Sequence, residues 1–211
     1  MGLLVLGILT FAGVHLVPSL APALRGALMQ RLGEGGYKGL FSLALLAGIG
    51  LIVFGWRSTL PSLVYLPPAD LYPLALALMV LAFLLMVISG RPSRLKQILR
   101  HPQLTGVFLW GIAHLLVNGD RASTYFFGCF ALLALAGMPL IDRKKEAQIG
   151  AAWGPFAMRT SALPFAAVVQ GRTRIDWRGI GWWRPVLAVA LYAIILGGHR
   201  HIFGVPPWPV F

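Results

Sequence analysis

The chain has 211 residues, of which 58% are hydrophobic and only 11% are charged, a balance that excludes an ordinary soluble domain and matches proteins that live in a bilayer. Its formal charge of +12 would suit a nucleic-acid binder if the chain were soluble. A multi-spanning protein acquires the same excess when Lys and Arg crowd its cytoplasmic loops, so the positions of the charges decide between the two.

Taken in chain order, five charge-free stretches, at about 3–23, 39–56, 71–90, 102–119 and 122–141, with a weaker apolar stretch at 182–199, predict an all-α, polytopic membrane bundle of about six transmembrane helices. The whole of 1–211 is read as a single integral membrane domain, with a cytoplasmic loop over 142–181 and no separate soluble domain. The first span has no basic residue before it, and Arg25 follows it. Although Ala21-Pro22-Ala23 resembles a cleavage site, the segment is read as a retained anchor with its N-terminus outside. Gly33, Gly35 and Gly36 separate the first basic loop from the second span, and Pro67-Pro68 marks the turn before the third. Arg94 to Arg100 mixes cations with Leu95, Ile98 and Leu99 at helical spacing, which places it in the membrane interface. Lys144 to Trp153 continues a helix out of the membrane. Ser161 to Gln170 is apolar but too short to span, an interfacial or re-entrant segment. The sixth span is short and ends near Arg200, so it either crosses fully or dips into the interface.

With helices alternating in direction, all cations except Arg57, Arg121 and Arg200 fall in the loops after the first, third and fifth spans or, for Arg184, at the adjoining edge of the sixth. The positive-inside rule then puts both termini outside and those loops in the cytoplasm. Topology thus accounts for the charge, and no nucleic-acid partner is expected. The six acidic residues, Glu34, Asp70, Asp120, Asp142, Glu146 and Asp176, all lie in loops or at span ends, so paired carboxylates for glycosidic or hydrolytic chemistry are missing from the spans. The chain carries no Walker loop, GxSxG or HExxH motif. Cys129, the single cysteine, lies mid-span as a small core residue.

Two histidines interrupt apolar spans: His15 in FAGVHLVPS and His114 in LWGIAHLLVNGD. An ionisable group in a bilayer is costly unless it finds a partner, so each is a candidate site residue. Neutral imidazole is an axial ligand of haem iron, and equally can hydrogen-bond a carbonyl of its own bundle. The two differ in depth by roughly 12 Å at about 1.5 Å per residue, a gap that tilt and shifted span ends remove, so the sequence leaves their pairing open. Trp110 and Asn118 flank His114 by four residues on the same helix face, where they could wall or orient a flat cofactor, or simply pack. His101 belongs to the cytoplasmic interface, and His199 and His201, beside Arg200, are alternative ligands or solvated interfacial residues.

The segments FAGVHLVPSLAPALRGALMQRLGEGGYKGLFSLALLAGIGLIVFG and RHPQLTGVFLWGIAHLLVNGD, with FFG in the fifth span, resemble the NnrU family. That resemblance implies a multi-pass protein of the bacterial inner (cytoplasmic) membrane linked to denitrification, that is, to nitrite and nitric oxide reduction, and related to the 15-cis-zeta-carotene isomerases. It also implies haem b, its iron held by His15 and His114. A bis-histidine iron has no open position, so chemistry at it requires one ligand to leave. The implied partner is a membrane lipid or hydrophobic small molecule such as a polyene, isomerised at this site. Respiratory-chain proteins are further partners if the chain is instead a non-catalytic assembly factor.

RHPQLTG is also similar to the RHPxYxG motif of isoprenylcysteine-type membrane methyltransferases, and KEAQIGAAWGPFAMRTSALPF to their S-adenosylmethionine-binding segment. Arg100, His101 and Glu146 would form that alternative methyl-donor site. Leu104 in place of the tyrosine, and Lys145-Glu146 in place of the acidic pair, depart from the pattern.

Overall fold

The computed structural model describes residues 1–89, 98–176 and 181–208. Apolar segments in a bilayer must satisfy every backbone group internally, and the described residues are accordingly helical with one isolated β-bridge. The helices are α1 (Gly2–Leu20), α2 (Pro22–Arg57), α3 (Tyr72–Ile88), α4 (Pro102–Val117), α5 (Arg121–Ile149), α6 (Trp153–Arg159), α7 (Ala166–Val169) and α8 (Trp183–Phe203). Pro22 opens α2 in the first turn, where its missing N–H costs nothing. Within α2, Gly33 takes φ 70° and ψ 171°, so the basic stretch before it breaks away from the apolar stretch after it.

Five of these helices are long and apolar enough to cross a membrane, counting α3 with the turn that precedes it; α4 is apolar but has only 16 residues. The short element is therefore the fourth, while the expected weak sixth is a helix of 21 residues ending at a left-handed Gly204. The connection after α2 explains why α4 stops at Val117. Val64 N–H donates to the Gly119 carbonyl at 2.7 Å, Leu63 bridges to Asp120, and Arg121 N–H donates to the Ser62 carbonyl at 2.8 Å, so residues 118–120 are held extended. Asp120 then caps α5 by accepting from Ser123 N–H at 2.9 Å.

The principal packing partners run α2–α1–α5–α4–α3–α8. Alanine is the commonest residue among the buried positions, as at Ala75, Ala82, Ala113, Ala131 and Ala134, whereas Leu43, Leu46, Phe54, Leu132 and Ile194 are exposed. This is the membrane pattern: lipid is as apolar as leucine, so helices associate through small residues that bring backbones close. Between α1 and α2, a Cβ on Gly7 would stand 2.6 Å from the Ile52 nitrogen and 2.9 Å from the Gly48 carbonyl oxygen, and one on Gly55 would collide with the Leu4 backbone.

Beyond α5, Gly150 at φ 54° ends the helix that the sequence carries to Trp153, and α6 resumes at that residue. Ser161 to Gln170 contains only the single turn of α7. Phe165 N–H donates to the Ile98 carbonyl at 2.9 Å and Arg100 N–H to that of Ser161 at 2.7 Å, so the segment is tied to the chain just before α4. Most of the interfacial stretch expected at Arg94 to Arg100 lies outside the described residues.

Candidate functional site

His114 lies near the end of α4 remote from the basic loops. Its Nδ1 is 2.9 Å from the Trp110 carbonyl oxygen. A carbonyl only accepts, so Nδ1 carries the hydrogen and the lone pair of the neutral ring sits on Nε2, which has no hydrogen-bond partner among the described residues. The imidazole stacks on Phe127 of α5, with centroids 4.3 Å apart and planes 17° apart. That approach depends on Gly111, where a Cβ would stand 2.9 Å from the Phe127 carbonyl oxygen.

His15, on α1, repeats the arrangement. Its Nδ1 donates to the Phe11 carbonyl at 3.0 Å, its ring lies 4.2 Å from that of Phe11 and 6.1 Å from that of Phe41, and its Nε2 is likewise without a partner among the described residues. The residue is exposed on the helical surface, whereas His114 is half-buried. Both donor sets fit metal ligation, because ligating histidines characteristically donate the second ring N–H to a carbonyl and so fix the tautomer. The two histidines stand on helices that each pack against α5, and aromatic rings link them: Phe11 lies 5.0 Å from Phe130, which lies 5.8 Å from Trp110. Phe126 and Phe127 complete the cluster around Trp110, at 5.8 and 4.9 Å.

Trp110 therefore forms part of an aromatic wall between the two imidazoles. Asn118 serves the end of α4: its Nδ2 and its backbone N–H both reach the His114 carbonyl at 2.9 Å. The Tyr65 hydroxyl clamps the same end by donating to the Asn118 carbonyl at 2.9 Å and to that of Leu115. Burial, and then the negative charge of Asp120, push the phenol's pKa up, which keeps the donor protonated. Nothing in the sequence marks Tyr65 out, and the FFGCF stretch at Phe126 to Phe130 is the signal for the three phenylalanines.

On its other side His114 borders a cavity between α3, α4 and α8, shared with His199 and Tyr192. The structure thus brings His199 to the same region as His114, while exposed His201 does not line that cavity.

At the basic end of the bundle, Arg100 and His101 meet Asp142, and Glu146 is exposed one turn further along α5. The Arg100 guanidinium donates to Asp142 Oδ2 at 2.6 Å, Thr160 Oγ1 at 2.9 Å, and the Ala157 and Thr160 carbonyls at 3.1 and 3.3 Å, under the ring of Trp153. His101 Nε2 lies 3.0 Å from Asp142 Oδ1 without the alignment of a hydrogen bond. Burial holds the His101 pKa below its usual value, with Arg100 and Lys145 adding to that effect and Asp142 opposing it. The guanidinium is spent on anchoring the 157–161 segment, a structural clasp.

The chain is similar to the 15-cis-zeta-carotene isomerase, chloroplastic, of Zea mays, with 30% identity over 102 residues, 47% of this chain and 28% of the relative. It is also similar to the protein of that name from Arabidopsis thaliana, with 34% identity over 80 residues, 37% of this chain and 21% of the relative. The matches therefore span less than a third of those relatives' length. No solved structure matches. The profile described as NnrU protein matches residues 3–207, nearly the whole chain, and the chain belongs to the NnrU family.

Proposed function

We propose that this chain is a haem b protein of the bacterial cytoplasmic membrane that isomerises a polyene-like lipid, with His15 and His114 as the iron ligands. The observation that carries this reading is the shared tautomer of the two imidazoles. Each has Nδ1 committed to the carbonyl four residues before it and Nε2 left without a partner. The similarity to carotene isomerases supports the reaction class, and the aromatic cluster of Trp110, Phe126, Phe127 and Phe130 supplies flat walls for a macrocycle or a conjugated chain.

When bound, the haem supplies a redox-active iron whose potential and reactivity are set by its axial ligands and surroundings. The protein's own contribution is to hold each ring in one tautomer, to keep bulk water out with apolar helix faces, and to leave the lipid side open at exposed His15. The six-span arrangement with both termini outside belongs to the same proposal, and the concentration of cations at one end of the bundle supports it.

The reaction is tested by incubating the purified protein with a cis-polyene and resolving the isomers by chromatography. The proposal predicts a shift of isomer ratio that the double variant His15→Ala/His114→Ala loses. A ratio identical to that of the protein-free control contradicts it.

A further inference from the structure

The cavity between α3, α4 and α8 measures about 110 Å³ and lies near the ends of α4 and α8 that are away from the basic loops. Leu76, Met79 and Ala113 are among its apolar walls, and Pro206 and Pro207, beyond α8, line its rim. No Lys, Arg, Asp or Glu lines it among the described residues, so a charged head group finds no counter-charge there.

Several of its polar groups are committed within the protein, while the Tyr72 hydroxyl, also on its wall, has no hydrogen-bond partner among the described residues. The Tyr192 hydroxyl donates to the Leu76 carbonyl at 3.4 Å, and the Asn118 amide donates to that of His114 at 2.9 Å. His199 Nδ1 lies 2.7 Å from the Val205 carbonyl oxygen, which places its hydrogen on Nδ1 and leaves Nε2 as a lone-pair acceptor, the same tautomer as His114. In the reading above the iron takes up Nε2 of His114, so His199 Nε2 remains as an acceptor in want of a donor. The volume is close to that of an engineered apolar cavity of about 150 Å³ that binds benzene, enough for the last few carbons of a chain.

We propose that this cavity receives the hydroxyl-bearing end of an otherwise apolar molecule, whose O–H donates to Nε2 of His199. The ligand class is a neutral lipid-like alcohol. The inference rests on the polyene reading for the length of the molecule. It remains separable from that reading, because haem is followed by its absorption and this site by alcohol binding.

The test uses the full chain in lipid nanodiscs, titrated with all-trans-retinol and with retinyl methyl ether, which keeps the chain and loses the O–H. The saturable fluorescence change is read above that of empty nanodiscs. Wild type is expected to bind the alcohol about fivefold more tightly than the ether, the scale of one net hydrogen bond. His199→Leu is expected to equalise the two ligands, and Ala113→Phe to fill the cavity and weaken both by roughly tenfold or more. Leu196→Trp does the same from the α8 wall should Ala113→Phe not fold. No preference for the alcohol in wild type, a preference that survives His199→Leu, or undiminished binding in folded cavity-filling variants would overturn the proposal. So would a Zn²⁺ site that depends on His199 and excludes the alcohol.

Discussion

Arg100 Nη1 meets Asp142 Oδ2 at 2.6 Å, joining the residue pair before α4 to the basic end of α5 across 42 positions of sequence. The two side chains are only 15% and 19% exposed. Removing the cation leaves the Asp142 carboxylate and Thr160 Oγ1 without their donor, while Arg172 still reaches the Ala157 and Thr160 carbonyls. Arg100→Ala is expected to cost about 3 kcal/mol, the lower end for breaking a buried pair. Arg100→Lys should recover little, because one ammonium cannot serve Asp142, Thr160 and two carbonyls together. Thermal unfolding in detergent measures both, and limited proteolysis should report early cleavage at Arg159 and Arg172 in the alanine variant.

His101 adds a pH dependence. Its folded pKa lies below the unfolded value of about 6.5, so the unfolded chain takes up the proton first as pH falls. The neutral ring's contribution is intact above the unfolded pKa and is lost as pH falls through it toward the folded pKa. Asp142, Arg100 and Lys145 are the charges that act on the ring. Melting temperature should therefore drop between pH 7.5 and pH 5.5 in the wild type, and drop less in His101→Gln.

The α1–α2 hairpin depends on close backbones at Gly7, Gly48 and Gly55. Gly55→Ala is expected to push α1 away from α2 at a cost of roughly 1–3 kcal/mol, the range of an overpacked core. Gly39→Ala, with open space around the added methyl, should be neutral or slightly stabilising. Unfolding of the two variants side by side in one detergent decides it.

Much of this architecture was legible because a charge-free run of sufficient length has few alternatives to a helix. The end of α4 was not. Apolarity continues to Val117 and beyond, but Val64 and Ser62 claim the backbone of residues 119–121, a pairing that nothing local announces. His15 and His114 stand out as ionisable groups in apolar runs, and Trp110 as a wall beside His114, while Phe11 and Phe130 between them read as ordinary core. The place of His199 depends on the Val205 carbonyl and on α3 and α8 packing together, relations between distant segments that no spacing rule contains.

Tyr65 tests the clamp on α4. Tyr65→Phe removes the donor shared by Leu115 and Asn118, at an expected cost of about 1 kcal/mol. Hydrogen exchange should accelerate at the last turn of α4 and remain unchanged at its first.

The most direct measurement of the central claim is the absorption and EPR spectrum of the detergent-purified protein, expressed with ample haem, beside His15→Ala and His114→Ala. The account predicts a Soret band and a low-spin, bis-imidazole signature in the wild type, and loss of that signature in each variant. A wild type without haem, or a low-spin spectrum retained in both variants, would contradict it.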